Sequence, residues 1–172
     1  MAAEPPEVRV GLMLRQRGMS LATAESCTGG LLGHRLTNVP GSSDYFLGGV
    51  VVYADAAKAA LLNVAPALLA REGAVSEAVA QQMAVNVRCR LHADIGLGIT
   101  GIAGPAGGTV DKPVGLVYIA LAAEGVARCE RHVWPYDRLG NKQASSERAL
   151  EMVLEYLGES ESPGERASEK AK

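Results

Sequence analysis

The sequence predicts an α/β fold with a mainly parallel sheet and one antiparallel hairpin near its end. Short apolar runs such as "GGVVVYA" and "DIGLGIT" are rich in Val and Ile and bounded by turn residues, the mark of buried strands. Between them stand segments whose apolar residues recur three and four apart, the mark of amphipathic helices. The two kinds alternate along the chain, and such alternation builds layered α/β structure. The core is aliphatic, because 48% of the 172 residues are hydrophobic and only 4% aromatic. That length suits one domain.

The elements follow in order. "PEVRVGLMLRQRG" is a helix carrying Val8, Leu12 and Leu14, with Gly18 as its stop. "SLATAES", residues 20–26, is a short strand that runs into the glycine pair of "TAESCTGG". "GLLGHRLTNVPGSS" resumes helical spacing through Leu31, Leu32 and Leu36 until Pro40 ends it. "YFLGGVVVYA" reads as a buried strand through Val50, Val51 and Val52. "DAAKAALLNV" reads as a helix with Asp55 as its N-terminal cap. "SEAVAQQMAVNVRCRLH" is the clearest helix, capped by Ser76, with Val79, Met83, Val87 and Leu91 at helical spacing. "ADIGLGIT" is the next strand, followed by the loop "GIAGPAGGTVDKP". "VGLVYIALAA" and "ARCERHVWPY" form a hairpin around Glu124 and Gly125. "NKQASSERALEMVLEYLG" is the last helix, with Ala149, Val153 and Leu157 on one face. The domain is expected to span residues 1–158, and the charged, apolar-poor segment 159–172 to be a disordered tail.

Charge and composition exclude several classes. The formal net charge is -2 and no long basic run exists, which argues against binding a nucleic-acid backbone. No apolar run reaches membrane-spanning length, and "MAAEPPEVRVGLML" lacks the features of a signal peptide, so a soluble cytoplasmic protein is expected. Cys27, Cys89 and Cys129 stand far apart without Cys/His ligand spacing, which indicates neither a disulfide framework nor a metal site. "GLGITG", residues 96–101, fits a dinucleotide-binding glycine pattern. Its first two glycines lie inside the strand and no helix follows, so no dinucleotide site is expected.

Two places carry candidate chemistry. "TGIAGPAGG" lies at the carboxyl end of a strand, where open α/β sheets bind ligands. There Gly101 and its neighbours let the backbone approach a substrate, and the Thr100 hydroxyl can bond a phosphate or carbonyl oxygen. Ser26 stands where a strand gives way to a helix. It reads either as a nucleophile backed by the amides that follow or as a plain helix cap. Cys27 reads as a small buried residue rather than a thiolate. A serine nucleophile needs a base, and His34, His92 and His132 stand in no polar cluster. Lys58 is the better candidate: with Ala54, Leu61 and Leu62 at helical spacing it lies on an apolar stripe, where burial lowers the pKa of an ammonium. Tyr53, at the preceding strand end, can hydrogen-bond it. Arg138 in "WPYDRLG" is placed in a polar turn, either gripping a phosphate or carboxylate or paired with Asp137.

Four blocks, "TAESCTGG", "GSSDYFLGGVVVYADAAK", "GAVSEAVAQQMA" and "GITGIAGPAGGTVDKPVGLVYIA", together resemble the C-terminal domain of the CinA competence/damage-inducible protein family, over about residues 8–157. The resemblance implies a three-layer α/β/α sandwich with a mixed, mostly parallel sheet, usually in a homodimer. It also implies a nicotinamide mononucleotide amidohydrolase, which turns the carboxamide into nicotinate mononucleotide plus ammonia in pyridine-nucleotide salvage. The family's nucleophile corresponds to Ser26, its lysine base to Lys58 and its tyrosine to Tyr53. The hydroxyl residues lining the family's pocket correspond to Thr28, Ser43 and Thr100, and the arginine of its late block to Arg138. On the turn's own chemistry, the backbone amides of Cys27, Thr28, Gly29 and Gly30 would hold an oxyanion, and Gly101 joins the substrate-binding loop. No cofactor, metal, nucleic acid or membrane partner is implied. Here "YADAAK" carries Ala54 and Asp55 where the family usually has Ser-Asn, and the late block reads "PYDR"; the Tyr–Lys spacing is kept. The alternative is a non-catalytic nucleotide- or partner-binding module linked to competence and DNA damage. Many members carry a further N-terminal domain, so the chain reads as a stand-alone form or a fragment.

Overall fold

Residues 4–159 are described in a computed structural model of the chain. They form helix α1 (Pro6–Arg17), strand β1 (Leu21–Glu25), α2 (Leu31–Thr37), a 3-10 turn (Ser42–Asp44), β2 (Phe46–Val51), α3 (Asp55–Leu62), α4 (Pro66–Glu72), α5 (Glu77–Leu91), β3 (Ile95–Gly101), β4 (Leu116–Ala123), β5 (Val126–Val133) and α6 (Arg138–Glu159). The expected tail lies, beyond residue 159, outside the described residues. None of the described helices is long and apolar enough to cross a membrane.

The strands make one sheet in the order β2-β1-β3-β4-β5. β1 runs parallel to both neighbours, while β4 is antiparallel to β3 and to β5. The mixed sheet is as the sequence predicts. Its antiparallel part reaches one strand further inward than the terminal hairpin, because the chain returns from β3 to β4 through a loop without a crossover helix, and a direct return reverses strand direction.

Helices cover both faces, giving three layers. On one side Val10 and Leu14 of α1, Leu32 and Leu36 of α2, and Leu150 and Val153 of α6 pack on Leu21, Leu97, Ile99 and Ile119. On the other, Leu62, Leu68, Val79, Met83 and Val87 pack on Ala22 and Ala24. β1 is therefore buried along its whole length. α5 lies close against β3: a Cβ on Gly98 would meet the Ala80 carbonyl and stand 2.7 Å from the Ala84 amide nitrogen. Gly96 and Gly98 of "GLGITG" thus serve helix–sheet contact, while Gly101 lies close against β4; all three stand within β3.

Four local expectations are revised. β2 is a sheet edge, not a buried strand, and exposes Leu47 and Val51, because it has a neighbour on one side only. Asp55 does not cap α3; Ala54 holds the cap position without a side-chain bond, and Asp55 is the first helical residue. Arg138 opens α6 instead of sitting in a turn. The short helix α4, started by Pro66, has no counterpart in the periodicity because it offers too few turns to show one. Ser76 caps α5 as expected, its Oγ accepting from the Val79 amide at 3.4 Å.

Candidate active site

β1, β2 and β3 point the same way, so their carboxyl ends meet at one rim of the sheet. A cavity of about 240 Å³ opens there, lined by Ser26, Cys27, Tyr53, Asp55, Lys58, Thr100, Gly101 and Arg138 together with Ala103, Gly104 and Gly107. Residues from separate stretches of chain thus converge where open α/β sheets place their ligands.

The turn after β1 carries Ser26. The strand ladder continues into it, since the Ser26 amide donates to the Ile99 carbonyl at 2.9 Å. Ser26 is not the cap of α2, a position held by Gly30 at φ 95°, where a side chain would be strained. Instead the Glu25 carboxylate, just before it, accepts from the amides of Gly30, Leu32 and Gly33 at 3.0, 3.1 and 2.8 Å. That neutralises the start of α2. The Gly29 amide donates to the Ser26 carbonyl at 3.0 Å. Among the described residues, the Cys27 and Thr28 amides make no backbone hydrogen bond and the Ser26 hydroxyl has no partner. Of these, the Ser26 hydroxyl and the Cys27 amide belong to residues that line the cavity.

Lys58 is 1% exposed, the most deeply buried cation of the described chain. Its Nζ donates to the Tyr53 main-chain carbonyl at 3.1 Å and stands 3.6 Å from Asp55 Oδ1. Burial pushes its pKa below the ordinary lysine value; the Asp55 carboxylate, then Cys27 and Tyr53, pull it back without cancelling the fall. Cys27 moves the other way. Desolvation raises its thiol to about 12, opposed by the Cys27 and Thr28 amides and by Lys58 and reinforced by Glu25, so it stays protonated at neutral pH.

The far wall is the loop after β3 and the start of α6. Arg138 donates to the Gly104 carbonyl at 2.7 Å and to the Tyr53 hydroxyl at 3.0 Å. It does not pair with Asp137, whose Oδ1 instead accepts from the Gly140 amide at 2.8 Å. Asn141, 1% exposed, donates to the Ala103 carbonyl at 3.0 Å and so ties the loop to α6. The Thr100 hydroxyl donates to the Ala74 carbonyl at 2.9 Å, which commits its proton and leaves its lone pairs as acceptors.

Ser26, Cys27, Tyr53, Lys58, Thr100, Gly101 and Arg138 are therefore brought together, while Thr28, Gly29, Gly30 and Ser43 are not in the cavity wall. Ser43 lies in the turn before β2, at the amino end of that strand and so at the opposite rim of the sheet from the cavity. The Gly29 and Gly30 amides are already bonded within the turn, as above. The Thr28 side chain is wholly buried, and its Oγ1 has no partner among the described residues. Tyr53 meets Lys58 through its carbonyl, not its hydroxyl. None of the histidines lines the cavity. Sequence reasoning missed Glu25, Asp55 as a wall residue, and Asn141. A carboxylate closing a buried strand has to find donors, which was the available signal for Glu25; a polar residue in the first turn of α6 carries no such signal.

A three-layer α/β/α protein with a small polar cavity at the carboxyl ends of its parallel strands is of the class that binds small molecules at that rim. The chain belongs to the CinA C-terminal domain family, whose model matches residues 3–157. A CinA-like protein of Koribacter versatilis is 53% identical over 155 residues, which cover 90% of this chain and 37% of that relative. The crystal structure of a competence-damaged protein (CinA) superfamily member from Klebsiella pneumoniae superposes with a TM-score of 0.86 at 34% identity, covering 90% of this chain and 96% of that one. The competence/damage-inducible protein of Agrobacterium tumefaciens gives 0.82 at 36% identity, covering 92% and 99%. The chain spans little over a third of the curated relative's length and nearly all of the solved structures.

Proposed function

We propose that the chain is a nicotinamide mononucleotide amidohydrolase of the cytoplasm, releasing ammonia and nicotinate mononucleotide through a Ser26–Lys58 dyad. The observation that carries the reading is a buried lysine of lowered pKa sharing a cavity with a serine whose hydroxyl has no partner among the described residues. Burial removes water from the ammonium and makes the neutral amine easier to reach than in an ordinary lysine. Neutral Lys58 takes the Ser26 proton, and Oγ attacks the carboxamide carbon. The amide of Cys27, which lines the cavity and has no backbone acceptor, donates to the oxyanion. Lys58 returns its proton to the leaving nitrogen, which departs as ammonia. Water, deprotonated by Lys58, then hydrolyses the acyl-enzyme and frees Ser26. Arg138, in the cavity wall, meets the substrate phosphate by charge-assisted hydrogen bonding. The reading uses no metal or cofactor.

Ammonia release from nicotinamide mononucleotide by the wild type, Ser26→Ala and Lys58→Ala proteins is the test. The expected result is turnover by the wild type and a loss of roughly a thousandfold or more in kcat for each variant. Binding without ammonia release would point to a nucleotide-binding module instead, and full activity in Ser26→Ala would remove the dyad. The acidic limb of kcat against pH is expected to follow deprotonation of Lys58, below the ordinary lysine range.

We also propose a homodimer. The outer edge of β2, from Phe46 to Val51, carries no charge or proline, and its Leu47 and Val51 are half exposed, which suits pairing with a second copy. Sedimentation equilibrium decides this directly, with a monomer as the contrary result.

A further inference from the structure

Asp55 is the one carboxylate in the cavity wall among the described residues; the other ionisable groups there are Cys27, Tyr53, Lys58 and Arg138. It opens α3, its side chain is 60% exposed, and it stands 3.6 Å from the Lys58 ammonium one turn further on. Among the described residues it has no other ion-pair partner: the Cys27 thiol is neutral, and Arg138 keeps its charge but directs its hydrogen bonds to the Gly104 carbonyl and the Tyr53 hydroxyl, not to Asp55. Once Lys58 is neutral, Asp55 is therefore left with no cation in ion-pair contact with it among the described residues. A substrate bringing a fixed positive charge completes that arrangement, whereas an uncharged one leaves the carboxylate unpaired.

We propose that Asp55 is a specificity-determining residue that selects a cationic, N-substituted pyridinium amide over an uncharged ring, by changing partners from the Lys58 ammonium to the substrate ring. The exchange rests on the amidohydrolase reading above, and its charge balances. The ring enters as a cation, Lys58 gives one proton to solvent, and Asp55 stays ionised throughout. Like charges repel in a low-dielectric cavity, so the ring and the Lys58 ammonium disfavour one another. Binding of the true substrate thus readies the base, and an uncharged analogue does not. Asp55 touches neither the reacting carbon nor the leaving nitrogen in this scheme. It sets charge preference and the titration of Lys58.

Asp55→Asn keeps the shape and the helix-start position while removing the charge. In a Ser26→Ala background, binding of nicotinamide mononucleotide is compared with binding of its reduced form, whose dihydropyridine ring is uncharged and whose carboxamide, ribose and phosphate are the same. At mildly alkaline pH and low salt, the preference for the cationic form is expected to be roughly fivefold greater with Asp55 than after Asp55→Asn, the gap narrowing as salt is added. Affinity for the reduced form is expected to change less than about twofold, since no charge is lost there. The Lys58 titration, followed by carbon-13 NMR of the lysine ε-position without any ligand, is expected to shift to lower pH in Asp55→Asn. A preference unchanged by Asp55→Asn, or an unmoved Lys58 titration, overturns the exchange. A wild type that deamidates the mononucleotide while either of those holds loses only the role of Asp55. A protein that binds neither form and releases no ammonia loses the substrate reading, and the inference with it.

Discussion

At Glu25 a carboxylate only 2% exposed accepts three amide hydrogen bonds from the start of α2. Helix-start amides have no partner within their own helix, and here they are closed off from water. Glu25→Ala is expected to cost on the order of 3 kcal/mol in urea denaturation, because it strands several buried donors at once. Glu25→Gln should fall between, since its carbonyl can accept while its NH2 opposes the facing amides. Both should lower kcat more than they raise KM, as the turn holding Ser26 loosens. Lys58 gives a second test. Its folded pKa lies below the ordinary lysine value of 10.5, so the unfolded chain binds more protons than the folded one through the interval between them. Stability should therefore rise with pH across that interval, up to the ordinary lysine value. Lys58→Met should lose this rise along with ammonia release, and thermal melts at a series of pH values check it.

Between β3 and α5 the contact is made without side chains on the strand. Gly98→Ala would drive a methyl into the α5 backbone, with the Ala84 nitrogen 2.7 Å away, and neither backbone can yield cheaply. A loss of about 2 to 3 kcal/mol is expected, as for other overpacked cores. Gly158, near the end of α6, is the contrast: nothing lies within 4 Å of an added Cβ and its backbone is helical. Gly158→Ala is expected to stabilise by up to about 1 kcal/mol, because alanine loses less conformational freedom in a helix. The opposite signs, read from two denaturation curves, would separate packing from propensity. The same elements show why sequence pattern succeeded in one place and not another. α5 has enough turns for Val79, Met83 and Val87 to reveal its buried face, whereas the valines of β2 look alike at an edge and in a centre.

For the molecule as a whole, β5 and α6 are joined by Arg148, which donates to both oxygens of Glu130 at 2.7 and 2.8 Å. His132 adds a contact to Glu130 and stacks on Trp134, whose indole N–H donates to Ser145 of α6 at 3.0 Å. The hydrogen bonds from Arg148, aided by His132, hold the Glu130 carboxyl down to about 2 from its ordinary 4.5. Its folded pKa being depressed, its contribution is present above pH 4.5 and is lost as pH falls from there toward 2. Glu130→Gln should flatten the acid side of the stability curve while leaving the neutral activity unchanged, because this cluster stands away from the cavity wall. Acid titration of unfolding by circular dichroism reads the first, and ammonia release at neutral pH the second.

The order and kind of most elements, the aliphatic core, and the pairing of a serine turn with a lysine on an apolar stripe were legible in the chain itself, since periodicity and turn chemistry act between near neighbours. Lys58 stood out because a charge was spaced like its leucines. Only the tertiary structure decided that β2 forms an edge, that Ser43 sits at the far rim, that Glu25 uses the α2 amides, and that Asp55 shares a wall with Arg138. Those outcomes depend on sheet order and loop closure, which join residues far apart in sequence, and no local pattern records which strands become neighbours.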